Sequence, residues 1–209
     1  MILVTAFLFS TGGAVIKATG FSGWQVAGLR CGIAALVILL LVPASRKNWS
    51  KGTWLVGLAY AGALISYALA NKLTTAANTI FLFSTSPLYI LLLGPWLLGE
   101  PIRRRDVLFV LVFAVGLGLV FLDSESIYAT APDPVPGNLL AAFGGLCFAL
   151  VVIGLRWFGR QDGAAESSAT SAVVAGNLIG FILCLPVALP LGSVALKDWA
   201  LVTYLGVVQ

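Results

Sequence analysis

No histidine occurs among the 209 residues, and only 10% of them are charged. The first absence removes the commonest metal ligand and general base. The second lies far below the roughly 25% charge of an ordinary soluble domain. The three cysteines, Cys31, Cys147 and Cys184, stand in apolar segments without ligand spacing; they read as small packing residues, neither a disulfide framework nor a metal site. No GxxxxGK[ST] motif is present, so direct use of ATP has no phosphate loop to work through. The apolar runs hold no aspartate or glutamate. With no histidine and no carboxylate pair inside them, an enzymatic reading lacks a nucleophile, base or metal set, and no catalytic residue, metal or cofactor is assigned. The N-terminal MILVTAFLFSTGG lacks a basic leader, and Lys17 follows it where a cleavage region would stand. It reads as a first membrane helix, not a signal peptide.

What remains is apolar. Hydrophobic residues make up 60% of the chain and the mean hydropathy is +1.03, which predicts an all-α membrane protein, a multi-span helical bundle. Between Lys72 and Glu100 run 27 uncharged residues, more than the roughly 20 that cross a bilayer as a helix. The pattern predicts seven spans, at 2–19, 24–42, 52–70, 76–98, 107–122, 138–155 and 169–189. The last segment, 199–209, reaches only about 16 Å as a helix, so the chain is expected to stop within an eighth helix of a longer protein. The acidic, proline-containing loop 123–137 holds Asp123, Glu125 and Asp133 and reads as solvated.

Charge sorts the loops. The connections after spans 2, 4 and 6 carry Arg46, Lys47 and Lys51, then Arg103, Arg104 and Arg105, then Arg156 and Arg160. The alternate connections carry only Lys72 and Lys197. Basic loops stay on the cytoplasmic side, which predicts a cytoplasmic N-terminus in the cell (inner or plasma) membrane. The modest net charge of +4 then reflects those loops and not nucleic acid. The arginine cluster would also meet anionic headgroups. The lipid bilayer and a small-molecule substrate are the expected partners, and a homodimer is compatible with the sequence.

A weak internal repeat is visible. Phe9 and Gly12-Gly13 in span 1 parallel Phe143 and Gly144-Gly145 in span 6. Trp54-Leu55-Val56 with Gly62 parallels the stretch from Trp199 to Gly206. The offset is five helices. An odd offset inverts one copy relative to the other, a plan common in secondary transporters.

Three pieces carry a family likeness: Gly12-Gly13 with Lys17, the stretch WQVAGLR ending in Arg30, and TSPLYILLLGPWLLGEPIRRRD. Together they resemble the EamA family of the drug/metabolite transporter superfamily. The resemblance implies a ten-helix carrier or exporter built from inverted five-helix repeats around a central cavity. It divides this chain into a first repeat at 1–124, a loop at 125–136 and a partial second repeat at 137–209. It leaves the substrate open, and a non-catalytic structural or sensory bundle remains the alternative.

Several residues are candidates for the cavity. Asn78, Thr85, Tyr89, Trp96 and Glu100 fall on one face of span 4 at steps of seven and four. A polar face in lipid looks at protein or at water. Pro87 should kink this helix by leaving the Phe83 carbonyl without a donor. Ser84, Thr85 and Ser86 would re-satisfy freed backbone groups or meet substrate; packing through hydroxyls is the plainer reading. Tyr60, Tyr67 and Asn71 form a matching stripe on span 3, with an interfacial aromatic belt as the alternative for Tyr67. Lys17 and Arg30 are the basic residues within the spans. Each either reaches the headgroups or meets an anionic group of a substrate, since a buried charge is expensive. Glu100 reads as a salt bridge or helix-end anchor beside Arg103–Arg105. Gly12 and Gly13 are structural, allowing helices to approach closely.

Overall fold

A computed structural model describes residues 7, 8, 10–121, 131–160, 165–191 and 195–208. Phe9, Asp123 and Glu125 lie outside the described residues. The described chain is helical: α1 (Gly12–Ala18), α2 (Gly23–Leu41), α3 (Lys51–Leu73), α4 (Ala76–Phe83), α5 (Ser86–Leu98), α6 (Arg104–Phe121), α7 (Pro134–Gly159), α8 (Ala165–Ala188) and α9 (Leu196–Val208). A short 3₁₀ turn, Pro43–Arg46, follows α2. Five stretches are long and apolar enough to cross a membrane, namely α2, α3, the α4–α5 pair, α7 and α8. The expected multi-span bundle of α-helices is what forms.

Helix starts follow local chemistry. Ser22 and Gln25 close a reciprocal capping box at α2, and Ser50 and Thr53 do the same at α3. Each box satisfies backbone donors that a helix start leaves open. Thr75 caps α4 by accepting from the Asn78 amide at 3.0 Å. Gly99, at φ 65°, ends α5 in the left-handed conformation that glycine tolerates.

Span 4 is broken rather than kinked. A continuous helix bent at Pro87 was expected; instead α4 stops at Phe83 and α5 restarts at Ser86. Pro87 therefore sits in the first turn of α5, where its fixed φ and missing N–H are tolerated. The hydroxyls serve the backbone as expected. Ser84 Oγ donates to the Ile80 carbonyl at 2.7 Å, and Thr85 Oγ1 to the Leu82 carbonyl at 2.6 Å. The break also ends the single polar stripe. Thr85 is buried, whereas Trp96 is 90% exposed.

The bundle has two ends. At the basic end Ser171 Oγ donates to the carbonyls of Ser45 and Lys47, and Asn48 bonds Ser167. Val56, Val151, Phe158 and Ala172 form a core between α3, α7 and α8 there. At the opposite end Ile16, Phe21, Val26, Val202 and Leu205 join α1, α2 and α9. Ala27, Ala68 and Cys184 pack α2, α3 and α8 together. The α3–α8 crossing is close because both sides lack a side chain: a Cβ at Gly176 would stand 2.7 Å from the Gly57 carbonyl oxygen.

Two lysines cap each other's helices at the end opposite the basic one. Lys17, in the last turn of α1, donates to the Thr74 carbonyl beyond α3 at 2.8 Å. Lys72, in the last turn of α3, donates to the Thr19 carbonyl beyond α1 at 2.7 Å. A cation at a helix C-terminus is stabilising by about 1 kcal/mol. Changing Lys17→Met or Lys72→Met should therefore lower the melting temperature of the detergent-solubilised protein, the double variant most. An unchanged melting curve in the double variant would remove the capping role.

Candidate functional site

The charge that the sequence marks as most expensive is a buried one that no described residue pairs with. Arg30 lies two turns into α2 and is only 6% exposed. Among the described residues no group hydrogen-bonds its guanidinium and no carboxylate pairs with it; the recorded ion pairs both belong to Glu100. Taking a charge out of water costs several kcal/mol unless a partner compensates. Arg30 therefore has unmade donors, and they belong to a cavity of about 400 Å³. That size falls in the usual range for small-molecule sites.

The walls of this cavity come from α2, α3, α4 and α7, with Ser10 before α1. Tyr60, Ala63, Leu64 and Tyr67 line it from α3, and Phe83, Ser84 and Phe148 from the span 4 break and α7. The aromatic wall is continuous. Tyr67 meets Phe83 edge to face at 5.3 Å between ring centres, and Phe83 meets Phe148 at 5.4 Å. Gly144 and Gly145 hold α7 against this wall. A Cβ on Gly144 would lie 3.0 Å from the Phe83 ring, and one on Gly145 3.0 Å from the Phe83 carbonyl oxygen. The junction between α4 and α5 is thus seated on a glycine pair.

The structure brings together three of the residues weighed from sequence as substrate contacts, Arg30, Tyr67 and Ser84, and adds Tyr60 from the Tyr67 stripe. The other candidates lie elsewhere. Lys17 is engaged at the end of α3. Asn71 is fully buried and donates to the Tyr67 carbonyl at 2.9 Å, while its Oδ1 stands close to Gly13. Thr85 is turned to Gly145, Ser86 is buried, and Tyr89 is half-buried outside this lining. Ser10, Phe83 and Phe148 were not singled out as lining. A phenylalanine in an apolar run carries no local signal that separates a cavity wall from a lipid-facing surface.

A larger gap of about 760 Å³ opens at the basic end between α5 and α6. Pro87 lines this gap and not the Arg30 cavity. Of its charged side chains, Glu100, Arg156 and Asp106 are already engaged, while no described residue pairs with the Arg103 guanidinium. Glu100 holds Arg156 at 3.1 Å and Arg160 at 2.7 Å, and Asp106 accepts from the Arg103 amide at 2.9 Å. The partners of Glu100 are thus Arg156 in α7 and Arg160 at its C-terminus, where Arg103–Arg105 were expected beside it. Arg160 also donates to the Leu98 carbonyl at 2.7 Å, tying α5 to the same point. The sequence hid this, because the partner stands some 60 residues away.

Asp198 was missed altogether. It opens α9, is 6% exposed, and accepts from the Gly20 amide at 2.8 Å. An acid in the first turn of a helix was the available signal.

Comparison with known proteins gives three findings. Residues 1–122 match the EamA-like transporter family. The chain is similar to the aromatic amino acid exporter YddG of Ancylobacter novellus, with 28% identity over 209 residues; the match covers 98% of this chain and 64% of that protein. The chain thus spans 64% of the length of this curated relative. A solved crystal structure has the same fold at a TM-score of 0.61 and 23% identity, covering 98% of this chain and 72% of the other.

Proposed function

The chain belongs to the EamA-like transporter family, and from that premise we propose that it carries a small aromatic carboxylate across the cell membrane by alternating access. The observation that carries this reading is Arg30, a buried guanidinium without a protein partner in an aromatic-walled cavity. A planar guanidinium matches a carboxylate through two parallel hydrogen bonds. Tyr67, Phe83 and Phe148 offer ring faces and edges to an aromatic body. The name of the relative, an exporter of aromatic amino acids, agrees with that chemistry.

Packing supports the inverted-repeat plan. Exchanging each span for the one five places along turns the α3–α7 contact into α9–α1, and α3–α8 into α9–α2. The α2–α8 contact maps onto itself. All five pairs named pack together. By the positive-inside rule the basic end faces the cytoplasm, and the N-terminus with it. Glu100 with Arg156 and Arg160 then clasps the cytoplasmic end, and the Lys17–Lys72 caps and Asp198 close the outer one. Alternating access requires these two sets to open in turn.

The test is counterflow in vesicles holding the purified protein. Radiolabelled 3-phenylpropanoate and phenylalanine should each be probed against unlabelled competitor. Saturable exchange of at least one is the expected result. Exchange of neither, with a non-aromatic solute carried instead, would refute the reading.

A further inference from the structure

We infer that the Arg30 cavity selects aromatic carboxylates with no α-ammonium group, such as 2-oxo, 2-hydroxy or simple aryl-alkanoic acids, over the corresponding zwitterionic amino acids. The inference rests on the carboxylate-binding reading above and specifies the substrate class.

An amino acid brings two charges into the site, one carbon apart. Its carboxylate finds the guanidinium of Arg30. Its ammonium needs an acceptor, best of all an anion. Among the described residues that line the cavity there is no aspartate or glutamate. The described acids stand at helix ends: Glu100 and Asp106 beside the basic loop, Glu166 at the start of α8, and Asp133 and Asp198 at the opposite end. Of these, Glu100, Asp106 and Asp198 already accept hydrogen bonds from Arg156 and Arg160, the Arg103 amide and the Gly20 amide.

A broken membrane helix often supplies backbone carbonyls to a bound cation. This one does not. The Ile80 carbonyl accepts from both the amide and the hydroxyl of Ser84. The Leu82 carbonyl accepts from both the amide and the hydroxyl of Thr85. The Phe83 carbonyl, which Pro87 leaves without its helical donor, points at Gly145 across the α7 contact. The Ile80 and Leu82 carbonyls are thus taken by the junction's own hydroxyls, and the Phe83 carbonyl lies against the glycine pair.

What remains at the site are neutral hydroxyl oxygens. Ser10 already donates to the Phe7 carbonyl at 2.7 Å. Among the described residues the cavity thus carries one fixed positive charge and no carboxylate to face a second cation. Bonded to the carbon next to the carboxylate, an α-ammonium is held within a few ångströms of the guanidinium and repelled by it. A carboxylate without that group makes the same bidentate pair and avoids both penalties.

Isothermal titration of the purified protein in detergent at neutral pH tests this, with 3-phenylpropanoate, phenylpyruvate, L-phenylalanine and phenethylamine as probes. The expected order is the two anions ahead of L-phenylalanine by about tenfold or more, the scale of leaving one charged donor unmade. Phenethylamine should not bind. Ser84→Asp, which places a carboxylate at the exposed edge of the cavity, should narrow the ratio between 3-phenylpropanoate and L-phenylalanine. L-Phenylalanine binding as tightly as 3-phenylpropanoate would overturn the selectivity and leave Arg30 as the carboxylate site. Failure of all four probes would overturn the carboxylate reading and this inference with it.

Discussion

Arg30→Met should melt at a higher temperature than the unaltered protein in detergent and lose its affinity for aromatic carboxylates by about 100-fold. The two halves of this expectation have one cause. Arg30 is 6% exposed in the fold, and nothing among the described residues pairs with its guanidinium. Replacing a buried ionic group by an apolar side chain of similar length is often neutral or stabilising, by about 1–4 kcal/mol. With a carboxylate bound, the same guanidinium makes a desolvated bidentate pair. Losing one side of such a pair costs about 2–5 kcal/mol of binding. A purely structural arginine would behave in the opposite way, because its removal would lower the melting temperature. Arg30→Lys separates charge from shape: it keeps the charge but not the planar fork, and should recover only part of the affinity. Equal melting curves and equal affinities for Arg30→Met and the unaltered protein would take Arg30 out of the account.

Gly145→Leu should lower the melting temperature of the bundle strongly. The space beside Gly145 is bounded by backbone. An added Cβ would stand 3.0 Å from the Phe83 carbonyl oxygen, 3.1 Å from that of Leu82 and 3.2 Å from Thr85 Oγ1. Those atoms belong to the helix break, and a flexible side chain cannot swing away to make room. Further side-chain atoms must push α7 off the α4–α5 junction. Overpacking of this kind costs about 1–3 kcal/mol where a core can yield, and more where it cannot. The same shift would pull Phe148 away from Phe83 and open the aromatic wall. Gly94→Ala is the matched control. A Cβ there meets nothing within 4 Å, and alanine is the better helix former by about 1 kcal/mol. Thermal melts of the two variants should therefore move in opposite directions. A Gly145→Leu protein that melts with the parent would mean that α7 does not seat the break.

Much of this architecture was legible because lipid imposes a simple grammar. Long uncharged runs separated by charged loops predicted the spans, and α2, α3, the α4–α5 pair, α7 and α8 occupy them within a few residues. The alternation of basic loops was legible for the same reason, and the described basic loops do share one end of the bundle. Arg30 was legible through its expense: a guanidinium two turns inside a span requires a reason. Lys17 sent the same signal and received a different answer, since a lysine one turn from a helix end can reach a carbonyl on the next helix. Proline at position 87 announced an interruption, but not its form. A kink and a break both begin from one missing donor, and the hydroxyls of Ser84 and Thr85 decide between them by binding the carbonyls behind it. The partners of Glu100 and the rings of Phe83 and Phe148 were not legible. Each depends on which helices become neighbours, and that is settled by glycine contacts spread over the bundle.

The most direct test of the central claim is to label the site covalently. A benzophenone-bearing propanoate should be photolysed with the purified protein, with and without excess 3-phenylpropanoate, and the modified residues mapped by mass spectrometry. Protectable labelling of the segments holding Tyr60, Tyr67 or Phe148 is the predicted result, absent in Arg30→Met. Protectable labelling confined to the gap between α5 and α6, around Ile90, Phe109 and Arg156, and unchanged in Arg30→Met, would contradict it.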